Sequence, residues 1–404
     1  MTGTETAPDE LFTYEFFQDP QSFQAALRAE APARPVVTPN GFRVWLVTRY
    51  EEAKAVLADP TVQKNSAGMN AVSAKNRTVE GEGRPFADEL NQHMLAMDPP
   101  DHTRLRRLVT KAFTARRIEQ MRPRIEEITA ELLAKLTAGD QVDLLDVFAF
   151  PLPITVISEL LGVDDEDREA FRRNSNTIIS SAGPEEVGAA GRWMVGYFMK
   201  LVADKRANPG DDLLSALIET SEDSDRFSEQ ELVSMAFLLL IAGHETTVNL
   251  IGNGVLALLT NPEQLARLKA DPSLMPGAVE EFLRFRSPVN MSTFRFTTEP
   301  VVVGDVTIPA ESLVLVGLGS ANRDEDRFEH ADQLDITRPV GGHLAFGHGI
   351  HYCLGAPLAR LEGEIAFRGL LAAFPDLKLA VEPSELQWRI SVLVHGLEKL
   401  PVIL

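Results

Sequence analysis

The chain contains one cysteine, Cys353, whose neighbours are those that a thiolate metal ligand needs. It lies in the segment Phe346-Gly-His-Gly-Ile-His-Tyr-Cys-Leu-Gly355. Glycines at 347, 349 and 355 permit backbone conformations closed to other residues and let N–H groups approach the sulfur. A helical pattern follows, so we expect the sulfur beside a helix N-terminus, whose partial positive charge favours a thiolate. Without these neighbours, an inert core residue would be the better interpretation.

A second group of polar residues interrupts an apolar helix at Ala242-Gly-His-Glu-Thr246. Ala242 and Thr246 share one helix face because they are four residues apart, whereas His244 points roughly 160° away and is not expected to be a ligand. The Thr246 hydroxyl can bond to the carbonyl of Ala242 and open a local kink in the helix. Taken alone, the motif favours a structural threonine whose hydroxyl forms a hydrogen bond within its own helix and has no further role.

Two charged patterns are open to more than one interpretation. Glu281 and Arg284 lie three residues apart on a predicted helix, where such a pair is usually exposed and weak. Residues 102–118 carry basic side chains and no acid, although the formal net charge of the chain is −20. This run is either a solvated helix face or a docking surface, for an acidic partner or for the carboxylates of a cofactor.

Periodicity predicts the elements that must position these residues. Helical patterns cover residues 103–113, 117–136, 152–162, 191–205 and 228–259. Strand patterns cover residues 43–48, residues 301–308 with a Gly-Asp turn inside them, residues 313–318 and the chain end. The predicted fold class is therefore mainly α with a smaller β part. Since no linker or repeat divides the 404 residues, we expect one large domain over residues 1–404, with residues 1–10 disordered.

Composition narrows the class of protein. The excess of 59 acidic over 39 basic residues disfavours non-specific binding to nucleic acid, because phosphates would be repelled. The N-terminus lacks the pattern of a signal peptide, and the longest apolar run, residues 235–242, is too short to span a membrane. One cysteine cannot form an internal disulfide. We therefore expect a cytoplasmic monomer without membrane or nucleic-acid partners.

The cysteine segment resembles the haem-binding loop of the cytochrome P450 family, Phe-x-x-Gly-x-(His or Arg)-x-Cys-x-Gly, at every defined position. Residues 242–246 resemble the oxygen-binding motif of the same family. The rival interpretations are weaker, because zinc would need several Cys or His ligands and a nucleophilic thiol would need a general base. The resemblance extends from about residue 10 to residue 404. It implies the cytochrome P450 fold, with haem b as cofactor and Cys353 as the axial thiolate.

The resemblance also implies roles for individual residues. Glu245 and Thr246 would handle protons during dioxygen activation. Glu281 and Arg284 would pair with Arg338 and hold the core without reacting. Contacts to the cofactor would come from His102, Arg106, Ala242, Gly243, Arg295, Phe346, Gly347, His351, Cys353 and Gly355. Among these, the basic residues at 102, 106, 295 and 351 would bind the haem propionates.

Family topology places the substrate pocket on residues 60–92, 174–181, 239–247, 289–293 and 392–394. Candidate lining residues are Leu239, Val289, Asn290, Met291, Val392 and Leu393. Their mostly apolar character suggests a bulky apolar substrate that is hydroxylated or epoxidised. The overall pattern resembles soluble actinobacterial hydroxylases, so we expect a polyketide or macrolide first, and a terpenoid or steroid next.

The resemblance further implies electron transfer from other proteins. Because the sequence ends at Leu404 without a flavin or iron–sulfur pattern, we expect electrons from NAD(P)H through a ferredoxin reductase and a ferredoxin. The ferredoxin would dock on Arg104, Arg107 and Lys111. Three alternatives remain open: a haem-thiolate peroxygenase, a non-catalytic haem-binding or gas-sensing protein, and a helical interaction protein without haem. The acid–threonine pair at 245 and 246 argues against the first two.

Overall fold

The computed structural model describes residues 11–78, 90–163, 165–179, 183–222, 225–339 and 341–404. Residues 1–10, for which disorder is predicted, lie outside this part of the chain, as do residues 79–89, 180 and 181 of the predicted pocket. Where the chain is described, helices dominate and the strands are short. This confirms the predicted class, mainly α with a smaller β part.

Helices supply most of the described structure. In chain order they are α1 (Tyr14–Gln18), α2 (Pro20–Glu30), α3 (Tyr50–Ala58), α4 (Ser66–Lys75), α5 (Asp101–Ala112), α6 (Ala115–Gln120), α7 (Arg122–Leu133), α8 (Pro151–Leu161), α9 (Arg168–Ile179), α10 (Pro184–Ala207), α11 (Leu213–Glu219), α12 (Glu229–Leu259), α13 (Pro262–Ala270), α14 (Met275–Phe285), α15 (Leu318–Ala321) and α16 (Ala356–Ala373). A π-helical turn, Leu145–Ala149, precedes α8.

Short strands form the β part. They are β1 (Ala33–Val37), β2 (Arg43–Val47), β3 (Val62–Gln63), β4 (Gln141–Asp143), β5 (Ser221–Glu222), β6 (Asp225–Arg226), β7 (Arg295–Thr297), β8 (Val301–Val303), β9 (Val306–Ile308), β10 (Leu313–Val316), β11 (Lys378–Leu379) and β12 (Pro401–Ile403). The larger sheet has the order β1-β2-β10-β7-β3, in which β2 and β10 run parallel and the other neighbours antiparallel. This sheet brings β3 and β7, which are distant in sequence, side by side.

Helix α12 is the centre of the fold and packs against α8, α10, α14 and α16. Its predicted capping box is present: Ser228 Oγ accepts from the N–H of Glu231 at 3.2 Å, and the Glu231 carboxylate accepts from the N–H of Ser228 at 2.8 Å. Gly254 lets α16 approach closely, because an added Cβ would lie 2.4 Å from Cζ of Phe367. The helix is long and apolar enough to cross a membrane. However, 67% of an apolar 18-residue stretch within it is buried inside the protein, as in the core helix of a folded domain.

One predicted element differs in the structure. The predicted helix 117–136 is interrupted, since α6 ends at Gln120 and α7 begins at Arg122 with Pro123 in its first turn. Proline has no N–H and fits the first turn of a helix, so the apolar period continues although one helix ends and another begins.

The strand pattern over residues 301–308, with its predicted Gly-Asp turn, is confirmed. It forms the hairpin β8–β9, which turns at Gly304 with φ of +59°.

A buried ion pair ties α14 to the segment that leads into the cysteine loop. Glu281 and Arg284 are 4% and 2% exposed, and two hydrogen bonds of 2.8 Å join the guanidinium to the carboxylate. Arg338 Nε also lies 3.3 Å from the Glu281 carboxylate, so the three residues meet as the family resemblance implied. The remaining donors of Arg284 reach backbone carbonyls between residues 322 and 333.

We expect Arg284→Leu to lower the free energy of unfolding by about 3–5 kcal/mol, because it leaves the buried Glu281 carboxylate without its main partner. Arg173→Leu is the matched control, since the Arg173 pair with Glu169 has side chains 68% and 66% exposed. Its effect should stay below about 1 kcal/mol. Urea unfolding followed by circular dichroism measures both. Equal losses in the two variants would contradict a structural role for the buried pair.

Candidate functional site

The cysteine loop carries Cys353 to the start of α16. It turns at Gly347 and Gly349, whose φ values of +70° and +74° lie in the left-handed region that favours glycine. The loop closes where the N–H of Cys353 donates to the carbonyl of Phe346 at 2.9 Å. Gly355 departs from the prediction, because its φ of −78° is open to any residue. Its contribution is instead an N–H group, which with that of Ala356 donates to the sulfur.

Cys353 is exposed as a residue, although protein atoms surround its thiol closely. Burial raises the pKa of the thiol above its ordinary value, while the N–H groups of Gly355 and Ala356 and the cations Arg106 and Arg360 act to lower the pKa. The sulfur therefore lies at a helix N-terminus, as predicted. The effect of desolvation on the pKa of the thiol is nevertheless larger than that of the N–H groups. A coordinated metal cation would reverse the balance, because coordination deprotonates a thiol outright.

A network that no sequence pattern indicated supports this loop from α14 and α16. The guanidinium of Arg360 lies 4.6 Å from the ring centre of Phe346 and contacts the Glu280 carboxylate at 2.5 and 3.0 Å. His343 Nε2 lies 3.0 Å from the same carboxylate. Burial acts to raise the pKa of Glu280, but the hydrogen bonds from His343 and Arg360 lower it to about 2. Glu280 and Glu281, adjacent in sequence, thus serve two separate ion-pair networks.

Helix α12 presents a small exposed patch within a largely buried surface. Ala242 is exposed and Thr246 partly exposed, although most of the following turns are buried. The Thr246 hydroxyl donates to the carbonyl of Ala242 at 2.9 Å, as predicted. Helix α12 continues without interruption from Glu229 to Leu259, so this bond does not end the helix. Gly243 is partly exposed beside this patch, and its Cα hydrogen faces α8, where an added Cβ would lie 2.8 Å from Cγ1 of Ile157.

Glu245, next to this patch, is buried and forms an ion pair with Arg389. Nothing in the local pattern around Arg389 predicts that pairing. His244 is fully buried, with Nδ1 2.8 Å from the carbonyl of Leu240 and Nε2 3.1 Å from Ser175 Oγ of α9. Protein groups therefore satisfy both ring nitrogens, in agreement with the helical-wheel argument that His244 is not a ligand.

Four residues predicted to bind carboxylates come together: His102, Arg106, Arg295 and His351. The two histidine rings lie 4.4 Å apart. Among the described residues, both ring nitrogens of His102, Nε of Arg295 and Nε2 of His351 are buried without a hydrogen-bond partner. Burial, followed by the neighbouring cations, lowers the pKa of His351 to about 2, and burial lowers the pKa of Arg295 to about 10. So many unpaired buried nitrogens beside two arginines indicate a site for an anionic ligand.

Comparison with known proteins decides which ligand this is. The family model for cytochrome P450 matches residues 197–391. The chain is also 56% identical over 401 residues to cytochrome P450 107B1 of Saccharopolyspora erythraea, with 99% of this chain and 98% of that protein covered. The chain belongs to the cytochrome P450 family. It is accordingly an oxidoreductase of the monooxygenase class, and its cofactor is haem b with Cys353 as the axial thiolate.

Solved P450 structures share the fold. The tirandamycin C-bound P450 monooxygenase TamI superimposes with a TM-score of 0.90 at 51% identity, over 96% of this chain and 98% of that chain. Cytochrome P450 PksS of the Bacillus subtilis bacillaene polyketide synthase gives a TM-score of 0.90 at 41% identity, over 98% and 99% of the two chains. The predicted cytochrome P450 fold is therefore confirmed over nearly the whole sequence.

The described residues of this P450 fit haem b. Cys353 is exposed and offers a sulfur as the axial ligand to the iron. On α12 the exposed patch consists of the small Ala242 and the Thr246 hydroxyl, which leave space for a flat ring. The unpartnered nitrogens of His102, Arg295 and His351 match the acceptor oxygens of two propionates.

The predicted pocket residues of the P450 fall into two groups. Leu239 is 9% exposed, and Val289, Val392 and Leu393 are partly exposed. Asn290 and Met291 are engaged elsewhere. The Asn290 side chain accepts a hydrogen bond of 3.0 Å from Gln24 Nε2, since a buried amide needs a partner, and Met291 is fully buried in a core cluster. Neither of these two presents free side-chain surface to a ligand, contrary to the prediction.

Part of the charge in the basic run 102–118 is paired within the protein. Arg104 forms ion pairs with Glu231 and with Asp225, the latter at 3.3 Å, and Arg107 lies 3.5 Å from the same aspartate. These ion pairs hold α5 against β6 and the start of α12.

Alanine substitutions at the two left-handed glycines should have unequal effects. Gly347→Ala places its Cβ in open space and should cost about 1–2 kcal/mol of stability for the left-handed backbone alone. Gly349→Ala adds a contact of 2.8 Å to the backbone carbonyl of Leu57, which cannot move without disturbing α3. We expect a lower haem-to-protein ratio and melting temperature for Gly349→Ala than for Gly347→Ala. Equal values would show that α3 does not constrain the cysteine loop.

Proposed function

We propose that this P450 inserts one oxygen atom of dioxygen into a polyketide or macrolide, by hydroxylation or epoxidation. The observation that carries the proposal is the exposed Ala242–Thr246 patch on the buried helix α12, beside the buried Glu245–Arg389 ion pair. The overall reaction consumes one dioxygen, two electrons and two protons per substrate, and releases one water with the oxygenated product. A terpenoid or steroid substrate is the second choice.

Each site residue has a defined task in this proposal. Cys353 supplies the sulfur ligand, and the N–H groups of Gly355 and Ala356 hold that sulfur in place. His102, Arg106, Arg295 and His351 bind the propionates and so fix the cofactor edge. Phe346, at the start of the cysteine loop, packs its ring against the guanidinium of Arg360. The ion pairs of Glu281 with Arg284 and Arg338 hold the segment that precedes this loop. When bound, haem supplies the site at which dioxygen is reduced and cleaved.

Glu245 and Thr246 move protons in the proposed mechanism. The Thr246 hydroxyl donates to the carbonyl of Ala242 in this structure, and it can rotate to offer a proton at the exposed patch. The Glu245 carboxylate is held by Arg389, whose partly exposed side chain connects the buried acid to solvent. This arrangement supports a dioxygen-dependent monooxygenase over a peroxygenase, because the dioxygen reaction takes two protons from solvent through the protein, whereas hydrogen peroxide already carries the protons that its cleavage needs.

The pocket and one relative support the substrate assignment, whereas basic residues of α5 support the assignment of the electron-transfer partner. Partly exposed apolar side chains at 289, 392 and 393 suit a bulky apolar molecule, and PksS is a P450 of a polyketide synthase. Electrons would come from NAD(P)H through a ferredoxin reductase and a ferredoxin docking near Arg107 and Lys111. We further propose that residues 1–404 form a single haem domain, active as a cytoplasmic monomer.

Replacement of Thr246 tests the proton-delivery assignment, with Thr247→Ala as the matched control on the next residue. Thr247 is 2% exposed and its hydroxyl faces the carbonyl of Gly243 at 3.5 Å, within the helix. We expect Thr246→Ala to lower product formed per NADPH consumed by at least about tenfold and to release peroxide instead. Thr247→Ala should keep the normal ratio. If Thr246→Ala couples electrons to product as well as the unmodified enzyme, the assignment is wrong.

A spin-state titration tests the substrate class. A ligand that enters the apolar pocket and displaces water from the iron changes the Soret spectrum of the ferric enzyme. We expect macrolactones to give the largest and tightest response in a panel that also holds steroids and sesquiterpenes of similar mass. A response to the steroids alone would refute the polyketide assignment while leaving the monooxygenase assignment intact.

A further inference from the structure

A lysine that no motif indicated lies among the carboxylate-binding residues. Lys64 follows β3 and precedes α4, and it is 6% exposed. Its ammonium donates to Thr293 Oγ1 at 2.5 Å, and its backbone N–H donates to the Asp98 carboxylate at 3.0 and 3.1 Å. Among the described residues, the ammonium of Lys64 has a neutral hydroxyl as its only hydrogen-bond partner, which is unusual because burying an ammonium without a direct counter-charge is costly.

The charges around Lys64 place it in the propionate site. Burial, then Arg295, lowers the pKa of Lys64 well below its ordinary range, and Asp98 acts in the opposite direction. Lys64 in turn acts to lower the pKa of both His102 and His351. It also faces His93, a buried residue whose Nδ1 has no partner among the described residues and whose pKa burial lowers to about 4.

A charge count supports a contact between Lys64 and the cofactor. In the part of the chain that the structure describes, the site holds three groups that are cationic when protonated, Lys64, Arg106 and Arg295, and one carboxylate, Asp98, while burial favours neutral His102 and His351. Three positive charges and one negative charge leave a net charge of +2. Haem b carries two propionate carboxylates, so a protonated Lys64 makes the filled site neutral. Without Lys64, one propionate charge would lack a balancing cation.

We propose that Lys64 is a further cofactor-binding residue, whose ammonium contacts a haem propionate and is oriented by Thr293. The inference rests on the propionate site of the proposed function and adds to the four residues that the family pattern marks. It also gives β3 and α4 a direct connection to the cofactor edge. These elements belong to the segment 60–92 that is predicted to line the substrate pocket, so the contact would couple pocket geometry to haem position.

Haem release from the intact ferric enzyme to excess apomyoglobin tests the proposal. Lys64→Met should speed release by at least about tenfold, the value expected when a hydrogen bond to a charged group is lost. Lys64→Arg should keep most of the slow rate, because it retains the charge. Lys75→Met is the matched control, since Lys75 lies on α4 with an exposed ion pair to Glu311. It should release haem at the unmodified rate, and the same rate for Lys64→Met would overturn the proposal.

Resonance Raman spectra distinguish a direct contact from a structural effect. The propionate-bending bands of the holoenzyme should shift in Lys64→Met and not in Lys75→Met, whereas faster release with unshifted bands would overturn the direct contact. If Lys64→Met does not fold, Thr293→Val removes the orienting hydroxyl without removing charge and should shift the same bands; unchanged bands would again overturn the proposal. A thiolate-type CO spectrum in the unmodified enzyme separates failure of the Lys64 proposal from failure of the proposed function.

Discussion

Charge buried around the haem site is the constraint on which the rest of the structure depends. Burial raises the pKa of the Cys353 thiol, and the cations Lys64, Arg106 and Arg295 lie in a largely dehydrated cluster. Neither arrangement is favourable for the protein alone. Both become favourable when one ligand brings a metal cation to the sulfur and carboxylates to the cations. The site is therefore complementary to haem b in charge as well as in shape.

The surrounding elements keep these charged groups in place. Helix α16 begins directly after the cysteine loop and gives the sulfur its N–H donors, while Arg360 on the same helix packs over Phe346. The buried pair of Glu281 and Arg284 fixes the segment before the loop. Because these supports are ion pairs with few alternative partners, a loss at one of them leaves a buried charge rather than a simple cavity.

The sequence alone predicted those features that depend on residues close to one another along the chain. The glycine-rich loop identified Cys353, the spacing of four identified the Thr246 bond to Ala242, and the capping box identified the start of α12. It could not reach pairings set by tertiary contacts, because no short-range period reports which distant residue faces which. Arg389 beside Glu245, Arg360 beside Glu280 and Lys64 beside Arg295 are of this kind.

The same limit explains the errors. Asn290 and Met291 lie in the segment expected to line the pocket, yet the Asn290 side chain pairs with Gln24 and Met291 is buried in the core.

The central claim is that Cys353 binds the haem iron as a thiolate, and the spectrum of the reduced, CO-bound enzyme tests this most directly. The account predicts the strongly red-shifted Soret band that thiolate ligation produces. A Soret band at the position of imidazole-ligated haem proteins would contradict it.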